Sequence, residues 1–211
     1  MDSFQKTYSN QVNANPKFNG HTNQVNLDLE GPSNSFTSLI ATQFFDADKE
    51  YDGQQFHFHS GSEHTVDGKR FDLEMHTVHY PKQVENGFIA AAMGIIFSVD
   101  DYTANLTWAE QRIIDTFFDT LNWDDMTDDG PTVNLVTYGN LMEMVDNKNR
   151  WVYKGSVTTP PCATSVYWNV LSTIYPISQR HVTQFKKQLN RGEEGMLDEY
   201  GNWREIQPID G

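Results

Sequence analysis

Short segments in which apolar and polar residues alternate constrain the fold of this 211-residue chain more than any other feature. Each segment is rich in β-branched and aromatic residues and is bounded by Gly, Pro, Asn or Asp, a pattern typical of strands separated by turns. The segments cover residues 25–30, 54–60, 71–80, 88–99 and 164–171. We therefore predict a mostly β fold of the α+β class, built on a large, twisted and mainly antiparallel central sheet.

Two helices are predicted at the periphery of this sheet. Thr107 and Glu110 form a capping-box pattern, and an apolar face at helical spacing follows over residues 113–121. A second helix is predicted to begin at residues 176–178, and its buried stripe is formed by Val182, Phe185 and Leu189. Both apolar stripes are interpreted as core packing and not as cofactor contacts.

Composition and charge exclude several classes of function. The formal net charge of -14 disfavours nucleic acid as a partner, because phosphate binding needs a positive surface. No apolar run approaches the roughly 20 residues that span a bilayer, and the longest, 87–99, is predicted to be a buried strand. We find no internal repeat and no low-complexity linker, so a single domain over residues 1–211 is predicted.

Five of the seven histidines lie between residues 57 and 79. His57 and His59 occupy alternate positions of one predicted strand, so their side chains share a face, about 7 Å apart along the backbone. Glu74 and His76 share a face of the next strand, and the Asp-Gly turn at residues 67–68 can bring that face beside the first. Three neutral imidazoles that converge from two strands are typical of a catalytic zinc site, which keeps its fourth position open.

The surroundings of these histidines support a metal site without deciding it. Gln55 and Glu74 are placed to accept the second ring N–H of His57 and His76, as acceptors beside metal-binding histidines usually do. Cysteine, the usual ligand of closed structural zinc sites, is absent from this region. The alternative is a half-buried strand whose polar face happens to be histidine. His181 lies outside every motif and is predicted to be a surface residue.

Residues 55–80, QFHFHSGSEHTVDGKRFDLEMHTVHY, resemble the signature of the alpha-class carbonic anhydrases. The resemblance continues in order through 18–21, 151–161, Trp168 and 202–208, and so spans nearly the whole chain. The short spacing of the SEH motif resembles that of plant and bacterial members. The resemblance implies the central sheet of that family, a Zn²⁺ cofactor and reversible hydration of carbon dioxide to bicarbonate and a proton. It further implies zinc-hydroxide attack, a histidine proton shuttle, and inhibition by sulfonamides or anions at the zinc.

The resemblance assigns roles to individual residues of the site. It implies that zinc is bound by His57, His59 and His76. The hydrogen-bond partners that it implies for these ligands are Gln55, Glu74 and the backbone carbonyl of Asn202. Thr158 matches the threonine that accepts a hydrogen bond from the hydroxide, and Glu63 matches the carboxylate that orients this threonine. The residues that brace this carboxylate network are His64 and Tyr153.

The resemblance also assigns the walls of the site. The apolar surface for carbon dioxide comprises Val78, Ala92, Val157, Val166 and Trp168, with Thr159 beside it. His21 matches the proton shuttle, and Asn19 and Gln24 match the residues that hold its water chain. The alternative for His21 is an exposed loop histidine after an Asn-Gly turn. Ala92 is smaller than the valine usual at its position, which should widen the pocket slightly.

Two departures from the family pattern bear on domain organisation and compartment. Family members usually carry an N-terminal arm that this sequence does not contain, so the domain is interpreted as truncated relative to the family. Cys162 resembles a cysteine that many secreted members pair with one in that arm. This variant and the sequon at 105–107 favour the secretory pathway over the cytosol, although no signal segment follows Met1. The alternative function is a non-catalytic relative that uses the scaffold for binding or assembly. The sequence does not indicate an oligomeric state.

Overall fold

The computed structural model describes residues 5–30, 34–38, 49–82, 87–125, 131–190 and 197–208. Its strands are β1 (Gln5–Thr7), β2 (Gln11–Ala14), β3 (Lys17–Phe18), β4 (Asn23–Asn26), β5 (Ser35–Ser38), β6 (Lys49–His59), β7 (Thr65–Val66), β8 (Lys69–Arg70), β9 (Leu73–Pro81), β10 (Ala90–Ser98), β11 (Val133–Val136), β12 (Arg150–Ser156), β13 (Thr164–Leu171) and β14 (Tyr175–Pro176). Its helices are α1 (Trp108–Thr120), α2 (Tyr138–Met144), α3 (Gln179–Leu189) and α4 (Leu197–Tyr200), with a 3₁₀ turn at Trp123–Asp125.

Ten of these strands form one sheet, whose main path runs β1-β5-β6-β9-β10-β13-β12. Neighbouring strands are antiparallel, except that β10 runs parallel to β13 and β14. Parallel pairing requires a crossover, and the chain between β10 and β13 supplies one that contains α1 and α2. The prediction of a large, mainly antiparallel sheet with peripheral helices is confirmed, and the sheet is mixed in detail.

Strand β10 lies at the centre of the molecule and is buried along its whole length. Met93, Ile95 and Phe97 belong to the larger hydrophobic cluster, which also receives the buried faces of α1 and α3. Ala92 and Ile96 point to the opposite face and join a smaller cluster with residues of β13. A strand that is buried on both faces has apolar residues at consecutive positions, which explains the continuous apolar run at residues 88–99.

The pairing of β6 with β9 determines which side chains face each other across the sheet. His57 lies directly opposite His76 in this register, while Phe56 and Phe58 are fully buried on the other face. The Asp-Gly turn adopts left-handed backbone conformations, with φ of 52° at Asp67 and 77° at Gly68. It closes the small β7–β8 hairpin and does not join β6 to β9 directly. The predicted hairpin is therefore present, but it lies between β6 and β9 in the chain and does not itself carry the three histidines.

Two features of the local structure differ from what the sequence predicts. The predicted strand over residues 25–30 ends at Asn26, although the Leu27 N–H still donates to the Gln54 carbonyl at 2.9 Å. Helix α2 was not predicted, because its seven residues include Gly139 and are too few to show a helical period. In the part of the chain that the structure describes, no helix is long and apolar enough to cross a membrane.

His181 is fully buried, so its prediction as a surface histidine is wrong. Its Nε2 lies 2.9 Å from Asp119 of α1, and its Nδ1 lies 2.8 Å from the Ser178 hydroxyl. His181 precedes Phe185 by four residues and therefore shares the buried stripe of α3. The polar side chain is tolerated there because both ring nitrogens have partners.

The capping box of α1 provides a test of local stability. The Glu110 N–H donates to the Thr107 hydroxyl at 3.3 Å, and the Glu110 carboxylate accepts from the Thr107 N–H at 2.7 Å. Thr107→Ala should lower the free energy of unfolding by about 1 kcal/mol in urea denaturation, because the Glu110 N–H loses its acceptor. Thr116→Ala, at an exposed interior position of the same helix, is the matched control and should be neutral or slightly stabilising. Equal effects of the two substitutions would contradict the capping role.

Candidate metal centre

Three histidines converge on one point of the sheet. His57 and His59 project from the same face of β6, and His76 projects beside them from β9. One ring nitrogen from each histidine lies within 4.8 Å of the other two. The ring centroids of His59 and His76 are 4.6 Å apart, and those of His57 and His59 are 5.1 Å apart. The three side chains therefore form a group that could hold a metal ion.

Hydrogen bonds fix which nitrogen of each ring is free to bind. His57 Nδ1 lies 2.8 Å from Gln55 Oε1, and His76 Nε2 lies 2.9 Å from Glu74 Oε1. His59 Nδ1 lies 2.9 Å from the backbone carbonyl of Asn202. Each partner is an acceptor, so each of these ring nitrogens carries the proton and donates it. The lone pairs are left on Nε2 of His57, on Nε2 of His59 and on Nδ1 of His76.

Burial favours the neutral form of His57 and His59, and the neutral imidazole is the form that binds a metal. Burial, followed by the charges of neighbouring imidazoles, holds the pKa of His57 well below its usual value. Burial also lowers the pKa of His59 to about 4, although Glu63 works in the opposite direction. His59 Nε2 is buried and has no hydrogen-bond partner among the described residues. A buried, unpartnered lone pair beside two others fits a bound Zn²⁺, for which imidazole nitrogen is a preferred ligand.

Glu74 connects the metal centre to a wider polar network. Its carboxylate accepts from the His64 backbone N–H at 2.8 Å and lies 2.6 Å from His64 Nδ1, while His64 Nε2 lies 2.6 Å from the Tyr153 hydroxyl. Burial opposes charge on Glu74, but the His64 and His76 rings outweigh it and hold the carboxyl pKa well below its usual value. Gly94 makes room for this carboxylate, because a Cβ there would lie 2.7 Å from Glu74 Oε1.

His64, Glu74 and His76 also satisfy the distance criterion for a metal group. Their facing atoms are already hydrogen-bonded to one another, so this second group is better explained as an ion-pair network. Burial disfavours charge on His64, yet the adjacent Glu74 raises its pKa above the usual value. His64 forms hydrogen bonds with Glu74 and Tyr153, and its interaction with Glu63 is electrostatic.

Glu63 lies beside two of the three histidines, His59 and His76. Its Oε1 accepts from the Arg204 backbone N–H at 2.9 Å, and its Oε2 is buried without a hydrogen-bond partner among the described residues. The two carboxylate oxygens lie 3.6 Å from His59 Nδ1 and 3.8 Å from His76 Nδ1. Thr158 lines the cavity, but no hydrogen bond to Glu63 is present in the part of the chain that the structure describes.

A cavity of about 490 Å³ opens over the three histidines. All six residues predicted for the substrate wall line it: Val78, Ala92, Val157, Thr159, Val166 and Trp168. Gln24, Gln55 and Asn19 line the cavity as well and supply amide groups. The cavity therefore combines an apolar wall with amide side chains, and its floor is the metal centre.

The loop that carries His21 borders this cavity. Gly20 adopts a φ of 90°, and the Asn19 carboxamide accepts from the backbone N–H of His21 and of Thr22 at 3.1 and 2.9 Å. The amide of Asn19 also donates to Gln24 Oε1 at 3.3 Å. The His21 ring lies 6.1 Å from the His59 ring, centroid to centroid. The loop thus places His21 close to the metal centre, outside the group of three histidines that could hold a metal.

Several lining residues were not identified from the sequence. Tyr80 lines the cavity and is 55% exposed, and it follows His76 and Val78 at the same period of two. Extending that alternation by one step would have found it. Thr22 also lines the cavity, and its hydroxyl contacts the backbone of Phe58. That contact joins residues far apart in sequence, so no local pattern indicates it.

The protein is thus of the class in which a β-sheet scaffold brings together three histidines that could hold one metal ion, beside a cavity with an apolar wall. The sequence model of the eukaryotic-type carbonic anhydrase family matches residues 2–211. The chain therefore belongs to the alpha carbonic anhydrase family, as the sequence motifs predict.

Individual relatives agree with this assignment. Carbonic anhydrase 6 of Canis lupus familiaris is 31% identical, over 97% of this chain and 63% of the dog protein. The alpha-carbonic anhydrase of Thermovibrio ammonificans, solved with the inhibitor sulfanilamide, superposes with a TM-score of 0.65 at 25% identity, covering 99% of this chain and 76% of that one. Dioscorin complexed with ascorbate superposes with a TM-score of 0.68 at 25% identity, over 99% and 76%. The chain spans less than two thirds of the length of the dog protein.

The ligand assignment predicts a graded loss of metal. His76→Ala should weaken Zn²⁺ binding by well over 100-fold, since it removes a ligand, whereas Gln55→Ala should weaken it by roughly 10- to 100-fold, the usual effect of losing a ligand's hydrogen-bond partner. Competition with a chromophoric chelator measures both affinities. His181→Gln, a change at a buried histidine outside the cavity, is the control and should keep the affinity of the unaltered protein. Unchanged affinity in His76→Ala would exclude this residue as a ligand.

Proposed function

We propose that this protein catalyses the reversible, zinc-dependent hydration of carbon dioxide to bicarbonate and a proton. The observation that carries the proposal is the group of three converging histidines, each with one ring nitrogen hydrogen-bonded to an acceptor, beside a cavity with one apolar wall. Membership of the alpha carbonic anhydrase family supports the same function.

The chain offers three ligands and leaves space above them. His57, His59 and His76 would hold the zinc ion, and they leave one side of the group facing the cavity. Bound zinc supplies hydroxide at neutral pH by lowering the pKa of water to about 7, a shift of which carbonic anhydrases are the standard example.

The apolar wall binds the substrate beside the nucleophile. Carbon dioxide has no net dipole and no hydrogen-bond donor, so a surface without polar groups binds it with little desolvation cost. Val78, Val157 and Trp168 supply such a surface next to the histidines. Bicarbonate is charged and is poorly matched to this wall, which favours its release.

Glu63 and Thr158 orient the attacking oxygen. A threonine hydroxyl that donates its proton to a carboxylate can only accept from a third group. Glu63 Oε2 is a buried acceptor without a hydrogen bond among the described residues, and Thr158 lines the cavity above the histidines. With Thr158 donating to Glu63, its oxygen can accept a hydrogen bond from the nucleophile, which would turn the nucleophile's lone pair towards carbon dioxide.

His21 carries the product proton to solvent. Each turnover leaves one proton in the cavity, and an imidazole is the side chain best suited to accept and release it near neutral pH. The ring of His21 lies beside that of His59, and the amides of Asn19 and Gln24 line the cavity nearby. These amides can hold the water molecules through which the proton passes.

A non-catalytic role on the same scaffold is the second candidate. The likeness to dioscorin, which was solved with ascorbate, shows that this scaffold also accommodates an organic ligand in a relative. The complete histidine group and the buried Glu63 favour the enzyme for this chain. Loss of a ligand would have favoured the binding role.

Stopped-flow measurement of carbon dioxide hydration by zinc-loaded protein separates these candidates. We expect a rate above that of buffer, because the open side of the metal centre can bind the nucleophile. Sulfanilamide, the inhibitor with which the Thermovibrio relative was solved, should suppress this rate. His76→Ala, treated with zinc in the same way, is the matched control and should be inactive because it lacks a metal ligand. A stoichiometrically loaded protein without activity would favour the binding role.

The proton-transfer role of His21 predicts a buffer-dependent defect. His21→Ala should lower kcat by roughly 10-fold or more in weak buffer, because the positioned proton acceptor is lost. Added imidazole should restore the rate, and kcat/KM for carbon dioxide should change much less. His181→Gln serves as a histidine control outside the cavity. A normal kcat in weak buffer would remove His21 from the mechanism.

A further inference from the structure

The side chain of Asn202 connects two parts of the site that the chain places far apart. Asn202 is 2% exposed and belongs to the segment that follows α4. Its Nδ2 donates to the Phe58 carbonyl and to the His21 carbonyl, both at 3.0 Å. Its Oδ1 accepts from the Ser60 N–H at 2.9 Å. One amide group therefore binds the backbone on both sides of His59 and the backbone of the His21 loop.

This amide acts in addition to the backbone of the same residue. The Asn202 carbonyl accepts from His59 Nδ1, and the Asn202 N–H donates to the Ser60 carbonyl at 3.0 Å. The backbone contacts are made to His59 and Ser60 and do not reach the His21 loop, whereas the side chain contacts both that loop and the residues that flank His59. The two functions of this residue can thus be separated by a substitution that spares the backbone.

The Thr22 hydroxyl makes a parallel connection. It contacts the Phe58 carbonyl and accepts from the Phe58 N–H at 3.2 Å. The loop is therefore attached to β6 at two adjacent points, one at His21 through Asn202 and one at Thr22. Among the hydrogen bonds of the described residues, the bond from the Asn202 side chain is the one that reaches His21 from outside its loop.

The chemistry of the position selects an amide. Two acceptors, the carbonyls of Phe58 and His21, require a group with two N–H bonds, and the Ser60 N–H requires an acceptor. Asn supplies all three in one planar group. Asp would keep the acceptor towards Ser60 but would direct a charged oxygen at two carbonyls, which is repulsive in a buried environment.

We propose that the side chain of Asn202 is a positioning residue for proton transfer, which holds His21 at its distance from the metal ligand His59. This inference rests on the proposed function for its kinetic consequence, while the structural claim stands on the hydrogen bonds alone. Misplacement of an acid–base group by about 1 Å can cost up to 100-fold in rate.

The kinetic test is a double-mutant cycle. Asn202→Asp should lower kcat roughly 10-fold in weak buffer, reduce kcat/KM for carbon dioxide much less, and respond to added imidazole. In the His21→Ala background the same substitution should have no further effect on kcat, because its effect passes through His21. Asn169→Asp makes the same chemical change at a buried amide outside the cavity and is the matched control. Additive losses in the cycle, or a loss that imidazole does not restore, would overturn the proposal.

A second measurement does not depend on activity. In zinc-free protein, Asn202→Asp and Asn202→Ala should each accelerate hydrogen–deuterium exchange across residues 19–22 several-fold relative to the loop of the unaltered protein, because this loop loses an attachment. Asn202→Ala covers the case in which the buried charge of Asp prevents folding. Unchanged exchange at residues 19–22 would overturn the positioning role whether or not the protein is an enzyme. If the unaltered, zinc-loaded protein proves inactive, the proposed function fails and the exchange result alone decides the role of Asn202.

Discussion

The antiparallel register of β6 and β9 is the constraint on which the rest of the site depends. It places His57 directly opposite His76 and His59 opposite Glu74. Side chains alternate faces along a strand, so a slip of one residue would turn the histidines of one strand into the core. The fully buried Phe56 and Phe58 oppose such a slip, because it would expose them. The packing of the apolar face thus holds the geometry of the polar one.

The electrostatics of the site follow from that packing. Burial disfavours charge on His57 and His59. Each of the three rings gives one N–H to a carbonyl or carboxylate, which leaves the lone pair of the other nitrogen for a metal. Burial also opposes charge on Glu74, but the electrostatic attraction of His64, followed by that of His76 and by their hydrogen bonds, holds the carboxyl pKa well below its usual value. Gly94 belongs to this balance, since any larger residue would occupy the space of the carboxylate. A polar network of this kind is stable only when it is complete.

Much of the fold and the site could be predicted from local patterns. The period of two in the histidine strands indicates which side chains share a face. The same alternation, extended from Val78 by two residues, indicates Tyr80. The capping box at Thr107 is confirmed because its bonds span three residues. The prediction of His181 as a surface residue was wrong, because its partner Asp119 lies on another helix, 62 positions away. The parallel pairing of β10 with β13 likewise depends on a long crossover.

The sequence by itself determined the strand periodicity, the helix start at Thr107 and the set of histidines available to a metal, because each depends on residues within a turn or a strand. Only the tertiary structure decided how distant segments meet: the Asn202 carbonyl at His59 across 143 positions and the Tyr153 hydroxyl at His64 across 89. It also decided that the Asn202 amide reaches the loop of His21. Such contacts follow from strand order and register, which the packing of the whole core selects, and local propensity carries no information about them.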